Sequence, residues 1–177
     1  NNAGAKAIQP RLKRSAGQNA FPIGINIVKS HDPAITGQEA IDDFCESFRI
    51  VAPWADYIAL NISCPNTSEG KTFEDPNSLD DLLRAIMRER SQMTRKVPIL
   101  IKMSPPSQSK FVLDSFYDEM ILVSLAHGVS GFIASNTASD RDGLITSPER
   151  IAAIGKGGLS GRPICSRANG LVSYLYR

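Results

Sequence analysis

The sequence has no apolar run approaching the ~18 residues that a membrane-spanning helix needs. Its first residues, Asn1-Asn2-Ala3-Gly4, lack the charged-then-apolar pattern of a secretory signal. Both absences argue against export, and the expected location is the cytoplasm or the reducing side of a membrane surface. Its three cysteines, Cys45, Cys64 and Cys165, are widely spaced and fit neither a disulfide framework nor a paired-cysteine zinc site. His31 and His127 have no second histidine or carboxylate at ligand spacing, so no metal site is expected. Charge of one sign is missing too. Lys+Arg 20 against Asp+Glu 18 leaves a net charge of +2, too balanced to argue for nucleic acid. The one basic cluster, Lys6, Arg11, Lys13 and Arg14, reads as the solvated face of a helix. Neither G-x-G-x-x-G nor a P-loop is present, and Gly155 to Gly161 matches neither. No serine-type triad can be assembled.

What is there is an ordinary globular composition, 177 residues with 42% apolar and 21% charged, enough for one domain with a real core. Residues 3–16 read as a helix, with Ala5, Ile8 and Leu12 at helical spacing and Pro10 against it. Phe21 to Val28 is a strand. Ala40, Ile41, Phe44, Cys45, Phe48, Val51 and Ala52 form the stripe of a helix ended by Pro53, with Cys45 facing the core. Asp56 to Ser63 is a second strand, followed by a polar loop over 67–75 that is longer than a connection requires. Leu79, Leu82, Leu83, Ile86 and Met87 mark a helix with Asn77 or Ser78 as N-cap. Val97 to Ile101 is a strand with Lys102 directly after it. Residues 108–126 form a helix carrying Phe111, Phe116, Met120, Ile121 and Leu125, stopped by His127-Gly128, and Gly131 to Ser135 is the fourth strand.

The polar residues Asn26, Asn61, Lys102 and Asn136 recur at the strand ends, at intervals of 35, 41 and 34 residues. Apolar strands alternating with helices imply a parallel sheet with right-handed crossovers, whose ligands collect at the carboxyl ends of the strands. An open doubly wound sheet suits the length, whereas a (β/α)8 TIM barrel typically needs about 250 residues. The barrel is favoured, because each strand end supplies a different polar residue and a Gly-rich first turn is missing.

Each polar group also has a bland reading. Lys102 is a snorkelling edge lysine or a cation aimed at an anionic ligand. The three asparagines are turn formers or, taken together, a match to a planar ligand edged with carbonyls and N–H groups. Cys64 taken alone is an inert thiol, yet it sits in a polar loop beside Ser63 and Asn66.

The segments Gly24-Ile25-Asn26-Ile27, Leu60 to Thr67, Ile101 to Pro105, Ala134 to Thr137 and Gly157 to Pro163 resemble, in order and spacing, the dihydroorotate dehydrogenases. The Gly-Gly-Leu-Ser-Gly-Arg-Pro run and the Asn-Thr after Pro65 look most like the class 2, quinone-linked branch. The resemblance implies an FMN-binding (β/α)8 barrel that oxidises dihydroorotate to orotate in pyrimidine synthesis. It places Asn26, Asn61, Lys102, Ser135 and Gly161 at FMN-contacting positions, and Asn61, Asn66, Asn136 and Thr137 against the pyrimidine. It implies hydride transfer to flavin N5 while Cys64 removes the neighbouring ring proton. A lysine at the flavin's pyrimidine edge would stabilise the negative charge that builds there on reduction.

Class 2 members carry serine where this sequence has Cys64; cysteine is the class 1 choice. A thiol near ~8.5 is a better base than an unassisted serine, so the exchange is chemically permissible. Counterparts of about four of the eight barrel strands are present, so residues 1–177 read as part of a barrel domain, inactive alone. The resemblance allows a quinone as electron acceptor and a peripheral membrane contact in a longer protein. Two other readings stay open: a dihydropyrimidine dehydrogenase-like flavin barrel, which shares Asn-x-Ser-Cys-Pro, and a non-catalytic barrel-derived scaffold.

Overall fold

A computed structural model of the chain describes residues 3–18, 20–64, 72–107, 115–155 and 157–177. The elements run α1 (Ala5–Ser15), β1 (Gly24–Ile27), α2 (Gln38–Val51), a 3-10 turn (Ala52–Trp54), β2 (Tyr57–Asn61) and α3 (Pro76–Ser91). There follow β3 (Ile99–Met103), α4 (Ser115–Ala126), β4 (Gly131–Ala134), α5 (Pro148–Ile154) and α6 (Arg162–Leu175). The strands form one parallel sheet in the order β1-β2-β3-β4. Each neighbour pair is joined through a helix, which is the βα repeat that the spacing predicts.

Alternation along the strands divides the sheet into two unlike faces. Ile58 and Leu60 of β2 and Ile99 and Ile101 of β3 are buried in one cluster with Phe44 and Phe48 of α2 and Leu79, Leu82, Leu83 and Ile86 of α3. Phe73 completes that layer edge-on to Phe44, with ring centroids 5.4 Å apart and planes at 86°. The opposite face carries Asn26, Ala59 and Leu100 in one row, and Asn61, Lys102 and Ile133 in the next. Among those six only Ala59 is buried. The helix-covered face is therefore the hydrophobic core, and the other face carries the polar groups.

The helices obey the apolar stripes read from the sequence, and Cys45 is buried in α2 as expected. Lys6, Arg11, Lys13 and Arg14 are exposed; Lys6 pairs with Glu46 of α2 at 2.7 Å. The first helix continues through Pro10, forgoing one backbone bond.

Besides shorter strands, β1 being Gly24–Ile27, β2 Tyr57–Asn61 and β4 Gly131–Ala134, three features differ from the expectation. The N-cap of α3 is Asp75, whose side chain accepts the Ser78 N–H at 3.0 Å, because Pro76 takes the first helical position and presets its backbone angle. Lys102 lies within β3 rather than after it: it pairs with Asn61 on one side and Ile133 on the other, its charge facing away from the core. The fourth helix is apolar almost all round, so it buries Met120 but leaves Phe116, Leu122 and Leu125 exposed. Its expected first turns, with Phe111, lie outside the described residues. No helix among the described residues is long and apolar enough to cross a membrane.

Phe48 is fully buried where α2 meets the sheet. Phe48→Ala is expected to lower stability by about 3–5 kcal/mol, read from denaturant unfolding of the full-length protein; a change below about 1 kcal/mol would contradict this packing.

Candidate active site at the carboxyl ends of the strands

Parallel strands deliver their last residues to one edge of the sheet, and there the amides meet. Asn61 closes β2, and Ser63 follows it in the turn. The hydroxyl of Ser63 donates to Asn61 Oδ1 at 2.8 Å. Across the sheet, Asn136 Nδ2 donates to the same Oδ1 at 3.3 Å and to Ser63 Oγ at 2.5 Å. Asn136 is itself fixed: its N–H donates to Met103 O at 2.7 Å, and its Oδ1 accepts the Thr137 N–H at 2.9 Å. Three side chains from two strand ends thus orient one another, which fixes an amide that would otherwise rotate freely.

Lys102 stands beside Asn61 in the adjoining strand. It is half-buried, and among the described residues its ammonium has no hydrogen-bond partner. Asn26 sits one row further from the strand ends, opposite Ala59, and is exposed. Ser135 Oγ donates to Asn136 O at 3.0 Å. Gly161, with φ of +79°, precedes the first turn of α6.

Cys64 is half-buried, and burial pushes its thiol above the ordinary range. The Lys29 N–H and ammonium charge oppose that shift, while Asp43 reinforces it. Lys29 is nearly buried; its ammonium is held by the carbonyls of Ser30 at 3.0 Å and Asp32 at 2.8 Å. Ser30 in turn is clamped to the Asp43 carboxylate by its N–H and its hydroxyl, both at 2.7 Å. The loop after β1 therefore supports the thiol.

A cavity of about 540 Å³ opens at this edge, walled by Ser63, Thr72, Glu74, Ser104, Asn136, Thr137, Arg141 and Gly158 among others. Of the residues predicted from sequence, it gathers Asn136 and Thr137. Asn26 lines a separate cavity of about 490 Å³ with Lys29 and His31, and neither cavity wall includes Lys102, Cys64 or Gly161. Asn66 lies outside the described residues. The glycine-rich segment closes the wall: Ala138 and Leu159 exchange backbone bonds at 2.9 and 2.8 Å. Among groups not anticipated, Arg167 of α6 is buried and grips the Asp140 carboxylate at 2.7 and 3.1 Å and the Pro106 carbonyl at 2.9 Å. Glu74 was missed as well. Lys29 had a visible signal, since it stands directly after the apolar run Phe21 to Val28.

A parallel sheet of βα units with its polar groups gathered at the strand ends defines part of a (β/α)8 barrel enzyme fold. The crystal structure of a ligand-free dihydroorotate dehydrogenase from Eimeria tenella superposes with a TM-score of 0.79 at 25% identity, covering 99% of this chain and 52% of that one. The model of the family described as dihydroorotate dehydrogenase matches residues 1–177. Two relatives named dihydroorotate dehydrogenase (quinone) agree with it. One, from Arthrobacter sp. (strain FB24), is 38% identical over 176 residues, 95% of this chain and 47% of its own length. Another, from Chloroflexus aurantiacus, is 37% identical over 182 residues, 100% of this chain and 48% of its own. The chain belongs to the dihydroorotate dehydrogenase family, and it spans about half the length of the curated relatives it matches.

A Cβ at Gly158 would stand 2.1 Å from Thr137 Oγ1, whereas one at Gly157 would meet nothing within 4 Å. Gly158→Ala is therefore expected to cost about 1–3 kcal/mol of stability, and Gly157→Ala less than about 0.5. Equal effects in thermal unfolding would contradict the close approach of the glycine segment to Thr137.

Proposed function

We propose that residues 1–177 supply four βα units of an FMN-dependent dihydroorotate dehydrogenase barrel, which oxidises dihydroorotate to orotate in pyrimidine biosynthesis and passes its electrons to a quinone. The observation that carries the reading is the Asn61, Ser63 and Asn136 network beside the Lys102 ammonium, which has no hydrogen-bond partner among the described residues. The word quinone in the relatives' names supports the acceptor. It is also compatible with a peripheral membrane contact of the whole protein.

The donor set fits a flavin. Asn61 uses its carbonyl oxygen for Ser63 and Asn136, leaving its NH₂ group for a ligand carbonyl. Lys102 offers a positive charge on the same face, and an electron-rich ring edge is its natural complement. Asn26, Asn61, Lys102, Ser135 and Gly161 would hold FMN, with Asn61, Asn66, Asn136 and Thr137 holding the pyrimidine. When bound, FMN supplies the hydride acceptor.

Turning the saturated ring bond into a double bond removes a hydride and a proton, and this chain supplies the proton's destination. Cys64 is the base. The thiolate, not the thiol, accepts the proton, and burial disfavours the thiolate. A base whose proton affinity is raised works once pH climbs above the ordinary thiol range. Proton removal is therefore expected to speed up as pH rises through the alkaline range. The loop holding Lys29 limits that rise by stabilising the thiolate.

In the full-length protein, Cys64→Ala is expected to lower dihydroorotate turnover by about 10²- to 10⁴-fold with flavin still bound; near-normal turnover would overturn the role of Cys64. Dihydrouracil is expected to be a poor substrate by comparison, and preferential turnover of it would favour the dihydropyrimidine reading instead. The isolated 177-residue chain is expected to bind FMN weakly or not at all, measured by flavin absorbance after desalting; a stoichiometric yellow preparation would contradict the proposal that the site needs the remaining strands.

A further inference from the structure

Glu74 belongs to the candidate cavity but has no part in the mechanism above. It stands in the wall of the 540 Å³ space with Ser63, Asn136 and Thr137. Its N–H donates to Thr72 Oγ1 at 3.0 Å, and its Oε1 accepts the Ser104 N–H at 2.6 Å. Among the described residues no cation forms an ion pair with it.

The other charges near this cavity are Asp140 and Arg141 in its wall and Lys102 outside it. Asp140 is gripped by Arg167, and Arg141 donates to the carbonyls of Ser139 at 3.1 Å, Asp140 at 3.0 Å and Gly157. Lys102 lies two residues before Ser104, and Cys64 follows Ser63, with burial raising the proton affinity of its thiol. Among the described residues Glu74 is thus the carboxyl in the wall with no ion-pair partner. Burial raises its proton affinity above that of an ordinary glutamate, and hydrogen bonding from Ser104 offsets part of that rise.

Two negative charges held close together in one cavity repel unless one takes up a proton, as paired carboxylates do. Resting on the dihydroorotate reading above, we propose that Glu74 is a specificity-determining residue: the cavity accepts a ring carboxylate only with a proton on Glu74, so binding the anion takes up one proton from solvent. A neutral ring binds without that uptake. The residue therefore couples the charge of the ligand to pH.

The test uses the full-length flavin-loaded protein, with orotate and uracil as probes followed by flavin absorbance between about pH 5.5 and 8.5. The orotate dissociation constant is expected to rise about tenfold per pH unit on the alkaline limb, while uracil binding stays flat. Glu74→Gln keeps the oxygen that accepts from Ser104 and removes the proton, so it should flatten the orotate profile. Calorimetry of the unmutated protein in two buffers of different ionisation heat should register uptake of about one proton with orotate, whatever the variant does. An orotate profile unchanged by Glu74→Gln, or no proton uptake by the unmutated protein, overturns this inference alone. Failure of orotate to bind at any pH to protein that holds flavin overturns the dihydroorotate reading, and this inference with it.

Discussion

The structure depends on the register of its parallel sheet. Asn61 pairs with Lys102, and Lys102 with Ile133; in a period-two strand that fixes which residues meet the helices and which face away. Shifting β3 by one residue would push the Lys102 ammonium in among Phe44, Phe48 and Leu82 and turn Ile101 outward. The desolvation of an unpaired ammonium forbids that alternative. The packing of the core and the placement of the polar groups are consequently one decision, made by the alternation of Ile99, Ile101 and Met103 with Leu100 and Lys102.

The site is built on that register, with short-range bonds added at its edge. Asn136 is carried to Ser63 by the pairing of its N–H with Met103 O, so the amide network assembles only when β3 and β4 are correctly paired. The glycine segment then seals the wall, since only glycine at 158 lets the chain pass Thr137. The Arg167 grip on Asp140 and Pro106 ties α6 to the loops after β3 and β4. Each of these contacts lies at the carboxyl end of the sheet, where barrel enzymes place their chemistry.

Much of this is legible in the sequence, because its signals are local. The stripe from Ala40 to Val51, the apolar core of each strand and the spacing of Asn26, Asn61, Lys102 and Asn136 read out the βα repeat directly. Strand and helix ends were less legible. Lys102 looked like a terminator because a charge ends an apolar run, yet pairing on both sides continues the ladder through it. Asp75 was missed as the cap of α3 because the start signal is the Asp-Pro step rather than the nearest Asn or Ser. Glu74 and Arg167 gave no signal, since their importance rests on partners 30 and 61 residues away. The helices α5 and α6, which follow the fourth strand, have no counterpart among the expected elements.

The central claim is that the polar face of this sheet, carrying Asn61 and Lys102 with the Asn136 network at its edge, is part of a flavin site that oxidises dihydroorotate. It is tested most directly by the visible spectrum of the full-length protein under anaerobic conditions, before and after addition of dihydroorotate. The account predicts bound flavin whose absorbance bleaches on addition. A protein without flavin, or one whose spectrum dihydroorotate leaves unchanged, would contradict it.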